Sequence, residues 1–178
     1  LRAIRGAIQA LKVHRRASGK ARLGQVVKRA VSAIPNLGLG ADVIVGFPGE
    51  TENQFTESYN LCKEIKFANL HLFPYSSRPG TSAYYLPNKV DTKEIRKRMN
   101  LMLSLAKKQA SDYRNSILGT KRKVLWETSK KIGNTTSWSG LTDNYIRVAT
   151  TSNKPLRNMI TSVTLEKFTN GTVWARIL

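Results

Sequence analysis

Between Leu39 and Phe73 the sequence runs strand, helix, strand, and this succession limits the fold more than any other feature. Leu39 to Val45 is an almost continuous apolar run interrupted by Asp42, which predicts a strand buried on both faces of a parallel sheet. Gly46-Phe47-Pro48-Gly49-Glu50 then turns the chain. Thr51 and Gln54 have the spacing of a capping box, and Phe55, Tyr59, Cys62 and Ile65 form the inner stripe of the helix they open. Ala68 to Phe73 follows as a second buried strand. Parallel strands cannot be joined by a tight turn, so a strand–helix–strand unit implies an α/β fold.

The flanks extend this reading. Val26, Val27, Ala30, Val31 and Ile34 recur at helical spacing over residues 22–34, and Pro35-Asn36-Leu37-Gly38 ends that helix. An irregular stretch runs from Pro74 to Pro87. Asp91 and Glu94 can cap a long helix reaching about Ile117. Its predicted apolar stripe is Ile95, Met99, Met102, Leu103, Ala106, Ala110, Tyr113 and Ile117, with Lys and Arg on the opposite face. After Gly119 the texture changes to short strands, read at Lys121–Glu127, Asn144–Thr151, Met159–Phe168 and Thr172–Leu178. Gly, Asn, Ser and Thr separate them, including the turn pair Asn170-Gly171. A small antiparallel barrel of the oligonucleotide-binding type fits that pattern, with a domain boundary at 118–120.

Charge narrows the partners. The net charge is +19, and the excess is uneven: residues 1–41 hold nine basic and no acidic residues, whereas residues 42–91 hold four basic and six acidic. Residues 92–123 hold ten basic against two acidic. An excess of this size points to a polyanion, most simply nucleic acid, although surplus cations also raise solubility. A membrane surface is a weaker fit, because the basic helix needs its apolar face for packing. No apolar run is long enough to span a bilayer, and no cleavable signal pattern follows Leu1. The single cysteine, Cys62, rules out an internal disulfide and fits a reducing, cytoplasmic setting.

Several residues stand out on physical grounds. Asp42 is a carboxylate within an apolar strand and must either hydrogen-bond to nearby backbone or serve a ligand. Gly46 and Gly49 permit close backbone approach at the C-terminal end of a strand, where α/β barrels bind ligands. Arg78, with Tyr75 and Ser76, lies on the same rim, where a guanidinium either grips a phosphate or carboxylate or staples the loop. Glu50 reads as a charge at a helix N-terminus, His71 as a packed or hydrogen-bonded residue, and His14 carries no separate signal. Beyond residue 119, Lys121, Arg122, Lys123, Lys130, Lys131, Arg147 and Arg157 lie among Trp126, Trp138, Tyr145 and Trp174. Cations can track phosphates while rings stack bases, or the rings can fill the barrel core. Trp126 is assigned mainly to the core, and Trp138 and Tyr145 to contact.

Three segments carry a resemblance. Gly40-Ala41-Asp42-Val43-Ile44-Val45-Gly46-Phe47-Pro48-Gly49-Glu50-Thr51 resembles the fifth strand and following turn of methylthiotransferases, a branch of the radical S-adenosylmethionine enzymes. Leu70-His71-Leu72-Phe73-Pro74-Tyr75-Ser76-Ser77-Arg78-Pro79-Gly80-Thr81 resembles the family's sixth strand and loop. Gly140-Leu141-Thr142-Asp143-Asn144-Tyr145-Ile146-Arg147-Val148 resembles its C-terminal TRAM module. Leu11 to Arg16 resembles a helix start of the family, whereas Leu1 to Ala10 lacks the strand expected before it.

The resemblance covers roughly residues 20–178 and leans to the enzymes acting on N6-threonylcarbamoyladenosine. It implies the C-terminal βα units of a TIM-type radical S-adenosylmethionine barrel over residues 1–118 and a TRAM, OB-like barrel over 119–178. It also implies S-adenosylmethionine at Asp42, Ile44, Gly46, Tyr75 and Arg78, with the tRNA anticodon arm as partner and neither DNA nor membrane. The RNA contacts would fall on Lys121, Arg122, Lys123, Lys130, Lys131, Trp138, Tyr145, Arg147 and Arg157. The intact family uses two four-iron four-sulfur clusters, each held by three cysteines. One cysteine can hold neither, so no metal site and no catalytic residue is expected in this chain, which should be inactive alone. Two other readings remain: a non-catalytic RNA-binding protein, or a TRAM module serving a different tRNA-modifying enzyme.

Overall fold

The structure is a computed structural model that describes residues 10–12 and 19–178. His14 lies outside them. By contact pattern the described residues divide into two units, residues 10–12, 19–33 and 39–110, and residues 34–38 with 111–178.

The first unit holds a parallel three-stranded sheet, β1 (Ala10–Lys12), β2 (Gly40–Val45) and β3 (Asn69–Pro74), in that order. Leu11 and Lys12 are therefore strand, not the helix start expected there. Helix α1 spans Gly19–Ala33 and α2 spans Glu52–Ile65. The capping box forms as expected: Gln54 N–H donates to Thr51 Oγ1 at 3.3 Å, and Thr51 N–H donates to Gln54 Oε1 at 3.1 Å. Lys66 ends α2 in the left-handed region, and its N–H caps Cys62 O.

The two strands are not buried on both faces. Ala41, Val43, Val45 and Leu70 are buried, while Ile44 is 47% and Phe73 50% exposed. Alternate residues point to opposite faces of a strand, and among the described residues only one face is covered. Register places Asp42 beside His71 and Ile44 beside Phe73, so the apolar run supplies both a covered and an open face.

Helix α3 runs from Thr92 to Ser116. Its buried positions are Arg98, Met102, Leu105 and Gln109, while Leu103 is exposed, so the inner stripe is rotated from the predicted one. Two of those four are polar, which an apolar pattern cannot register. Gln109 Nε2 donates to Cys62 O at 2.8 Å and ties α3 to α2.

In the second unit β4 (Lys121–Ile132), β5 (Thr135–Thr142), β6 (Arg147–Thr151), β7 (Ile160–Thr169) and β8 (Thr172–Ile177) form a closed barrel in the order β4-β5-β6-β8-β7. All pairings are antiparallel except β6 with β8. β4 closes the barrel by pairing with both β5 and β7, and a bulge between Trp126 and Thr128 lets it bend. Val124, Trp126, Trp138, Val148, Val163, Leu165 and Val173 fill the core. A Cβ at Gly140 would strike the backbone of β4, so this crossing admits only glycine. Asn170 and Gly171 both adopt positive φ, the geometry of a two-residue hairpin with a matched twist.

Candidate cofactor rim and nucleic-acid interface

The turn after β2 is fixed by charge. Gly46, at φ 79, donates its amide to Glu50 Oε2 at 2.9 Å, and Glu50 N–H donates to Phe47 O at 2.8 Å. Arg98 Nη1 donates to the same Glu50 carboxylate at 2.9 Å and to Glu50 O at 3.1 Å. Its Nε and Nη2 bind Glu94 and Glu52, each at 3.1 Å. Burial alone would make the Arg98 guanidinium easier to deprotonate, but its carboxylate hydrogen bonds hold its pKa above the usual value. Glu50 is thus a half-buried staple, not only a charge at a helix N-terminus. Arg98 was missed because α3 is rich in Arg and Lys, and charge alone does not show which one turns inward.

A Cβ on Gly46 would collide with Ile95, so glycine is required there by its positive φ and by packing. Tyr75 N–H donates to Val45 O at 2.8 Å, and the Tyr75 ring meets Phe47 edge-on at 5.3 Å. Ile44, Gly46 and Tyr75 therefore come together at the C-terminal ends of adjacent strands. The Tyr75 hydroxyl is buried and has no partner among the described residues. Asp42 is half-buried on the open face, and His71 Nε2 lies 2.9 Å from Asn69 Nδ2. Arg78 is exposed on the loop beyond β3, and its carbonyl accepts from Thr81 N–H and Oγ1.

Cys62 is buried, and burial pushes its thiol up to about 11. A thiol of that kind packs and does not ligate. No group of three or more His, Cys, Asp or Glu residues that could hold a metal occurs among the described residues. The donor set thus does not fit an iron–sulfur cluster.

On the barrel, Lys121, Lys123, Lys130, Lys131, Arg147 and Arg157 are exposed. Two expected contacts are corrected. Trp138 is only 6% exposed, lies in the core and donates its indole N–H to Ser152 O at 3.2 Å, so its face cannot stack a base. The Arg122 side chain is 11% exposed and directed at Asp143, 3.4 Å away, so it is largely withdrawn from solvent. Both positions alternate inward along their strands, which a count of cations and rings does not reveal.

Tyr145 is 49% exposed at φ 59, on a turn built by its neighbours. Thr142 N–H donates to Ile146 O at 3.0 Å, and Ile146 N–H to Thr142 Oγ1 at 2.8 Å. Thr142 Oγ1 also donates to Asn144 Oδ1 at 2.6 Å, and Asn144 Nδ2 reaches Tyr113 OH at 2.9 Å. A bulky residue in the left-handed region needs such support, and sites that carry function often hold this strain. The turn also replaces the strand expected at Asn144–Ile146.

No family model matches the chain. The threonylcarbamoyladenosine tRNA methylthiotransferase MtaB of Bacillus subtilis is 39% identical over 139 residues, which are 76% of this chain and 30% of that protein. Its namesake in Treponema pallidum is 40% identical over 108 residues, 61% of this chain and 22% of that protein. The tRNA-2-methylthio-N(6)-dimethylallyladenosine synthase of Tropheryma whipplei is 33% identical over 120 residues, 67% of this chain and 26% of that protein. The chain thus spans under a third of the length of each relative. On these similarities the chain belongs to the radical S-adenosylmethionine tRNA methylthiotransferase family, in the branch of MtaB.

Proposed function

We propose that this chain is the C-terminal portion of an enzyme that adds a methylthio group to C2 of N6-threonylcarbamoyladenosine beside the anticodon of tRNA. In this reading the parallel sheet belongs to a TIM-type barrel, and the five-stranded barrel is a TRAM, OB-like RNA-binding module. The observation that carries it is the open sheet face. Ile44 and Phe73 lie exposed beside a turn held rigid by Glu50 and Arg98, as the inner wall of a larger barrel would. Ile44 and Gly46 would border the adenine of S-adenosylmethionine, and Asp42, Tyr75 and Arg78 would meet its polar groups. When bound in the intact enzyme, that cofactor supplies the radical and the methyl group. The two clusters have no ligands here, so this chain's residues bind and position and do not generate the radical. Alone it would be inactive.

The test grafts residues 20–178 in place of the matching stretch of the Bacillus subtilis relative. The graft is expressed in a strain lacking that relative, and nucleosides from its tRNA are analysed by mass spectrometry. The methylthio nucleoside should appear with the graft and be absent with this chain alone. A folded, cluster-loaded graft giving none would overturn the reading. If the chain still bound an anticodon stem-loop, that outcome would favour a non-catalytic RNA-binding protein, the reading that buried, solitary Cys62 suits.

A further inference from the structure

A groove of about 530 Å³ lies over β8, lined by Thr151, Lys154, Glu166, Lys167, Trp174 and Arg176 among others. Val173 and Ala175 point into the barrel core, so Trp174 between them points outward. Register sets Trp174 beside Ala149 on β6 and Lys167 on β7. Ala149 beside it is small and buried. A bulge between Leu165 and Lys167 displaces β7 next to the groove, and bulges commonly re-aim side chains at sites.

The three tryptophans differ in one further respect. Trp126 donates its indole N–H to Thr161 Oγ1 at 2.8 Å, and Trp138 donates to Ser152 O. Trp174 is only half-buried, and its indole N–H has no partner among the described residues. A half-exposed ring presents a flat face that a planar partner can cover. Charge indicates what does. Arg176 is engaged by Glu166 at 2.6 Å, which leaves the ammonium groups of Lys154 and Lys167 without a carboxylate partner among the described residues.

We propose that this groove is a nucleotide subsite in which Trp174 stacks on one base of single-stranded RNA while Lys154 and Lys167 hold the adjoining phosphates. The site rests on the reading of the barrel as an RNA grip, and it adds a base-stacking platform to that reading. Stacking tolerates any base, so the subsite contributes affinity without reading sequence. It also gives β8 the contact role that sequence reading assigned to Trp138.

The test uses the full chain and a fluorescein-labelled oligouridylate, read by anisotropy and by quenching of tryptophan fluorescence. Trp174→Ala should weaken binding roughly 5- to 150-fold, the affinity equivalent of one lost stacked base. Trp174→Phe should keep most of the affinity and lose the quenching, since the remaining indoles lie in the core. Lys154→Glu with Lys167→Glu should weaken binding and flatten its salt dependence while leaving the barrel folded. If Trp174→Ala does not fold, the quenching in Trp174→Phe and the charge variant decide the matter. Binding and quenching unchanged in these variants would overturn the subsite and leave the RNA grip intact. No binding of wild type at low salt would overturn both.

Discussion

Glu50 Oε2 lies 2.9 Å from Arg98 Nη1, and the same oxygen accepts the Gly46 amide at 2.9 Å. One carboxylate oxygen therefore joins the end of β2 to a helix that begins more than forty residues later. A turn built on Gly46 and Gly49 needs such a constraint to hold one conformation, because the glycines themselves offer none.

Arg98→Met should lower unfolding free energy by about 2–4 kcal/mol. The lower half of that range reflects the exposure of Glu52, and the upper half the nearly buried Glu50, which would lose its cation. Urea denaturation measures it. Adding Glu50→Gln should recover part of the loss, since the stranded charge is then gone. A single variant as stable as wild type would show that the turn does not depend on the pair.

Cys62 gives a pH dependence with a definite sign. Its thiol titrates at about 11 in the folded chain against 9.0 when unperturbed, because burial disfavours the thiolate. The folded state thus holds the proton more tightly. That contribution to stability is fully present below pH 9.0 and is lost as pH rises toward 11. Cys62→Ala should flatten the fall in stability over this window. At pH 8 a disulfide reagent should label the native thiol much more slowly than the urea-unfolded one. Equal rates would place the thiol at the surface.

How far the sequence could be read depended on whether a signal was local. The capping box at Thr51 and Gln54, the Asn170-Gly171 hairpin and the assignment of Trp126 to the core follow from short-range chemistry, and all three are present. Strand β5 went unread, because Thr135–Thr142 is mostly small and polar and its pattern matches that of a loop. It forms because β4 and β6 pair with it on either side. The inward direction of Trp138 is hidden for the same reason, since it is set by that strand. At the end of β2, the Gly46-Phe47-Pro48-Gly49-Glu50 turn is legible in the sequence, because its glycines are a local signal. Arg98 is not, because its partner Glu50 is 48 positions away.

The Asn144 turn should be the weak point of the exposed Tyr145. Asn144 Nδ2 donates to Tyr113 OH at 2.9 Å and to Asn36 O at 3.4 Å, and the residue is buried. Asn144→Ala should cost about 1–3 kcal/mol, because it leaves the Thr142 hydroxyl and Asn36 carbonyl short of partners. Thermal unfolding measures that cost. Tyr113→Phe removes the hydroxyl that donates to Asn36 O and accepts from Asn144 Nδ2, and it should destabilise in the same direction. Burial raises the Tyr113 pKa, so its contribution is present at neutral pH and is lost as pH climbs above its usual value of 10.0. A loss in RNA affinity for Asn144→Ala with stability unchanged would mean that the turn acts on binding directly.

Salt dependence separates the barrel cations that face solvent from the one that does not. Each phosphate neutralised releases counterions, so the slope of log affinity against log salt falls by about 0.7–0.9 for every contact removed. Lys130 and Lys131 are exposed near the tip of the β4–β5 hairpin. Replacing both with Ala should reduce the slope for an anticodon stem-loop by up to about 2, with little change in melting temperature. Arg122→Ala should behave in the opposite way. Its guanidinium is largely buried against Asp143, and its Nε and Nη2 have no other partner among the described residues. That variant should leave the slope unchanged and change stability instead. Should Arg122→Ala flatten the slope as the lysine pair does, its side chain must swing out to the RNA, and the inward orientation would not be the binding state.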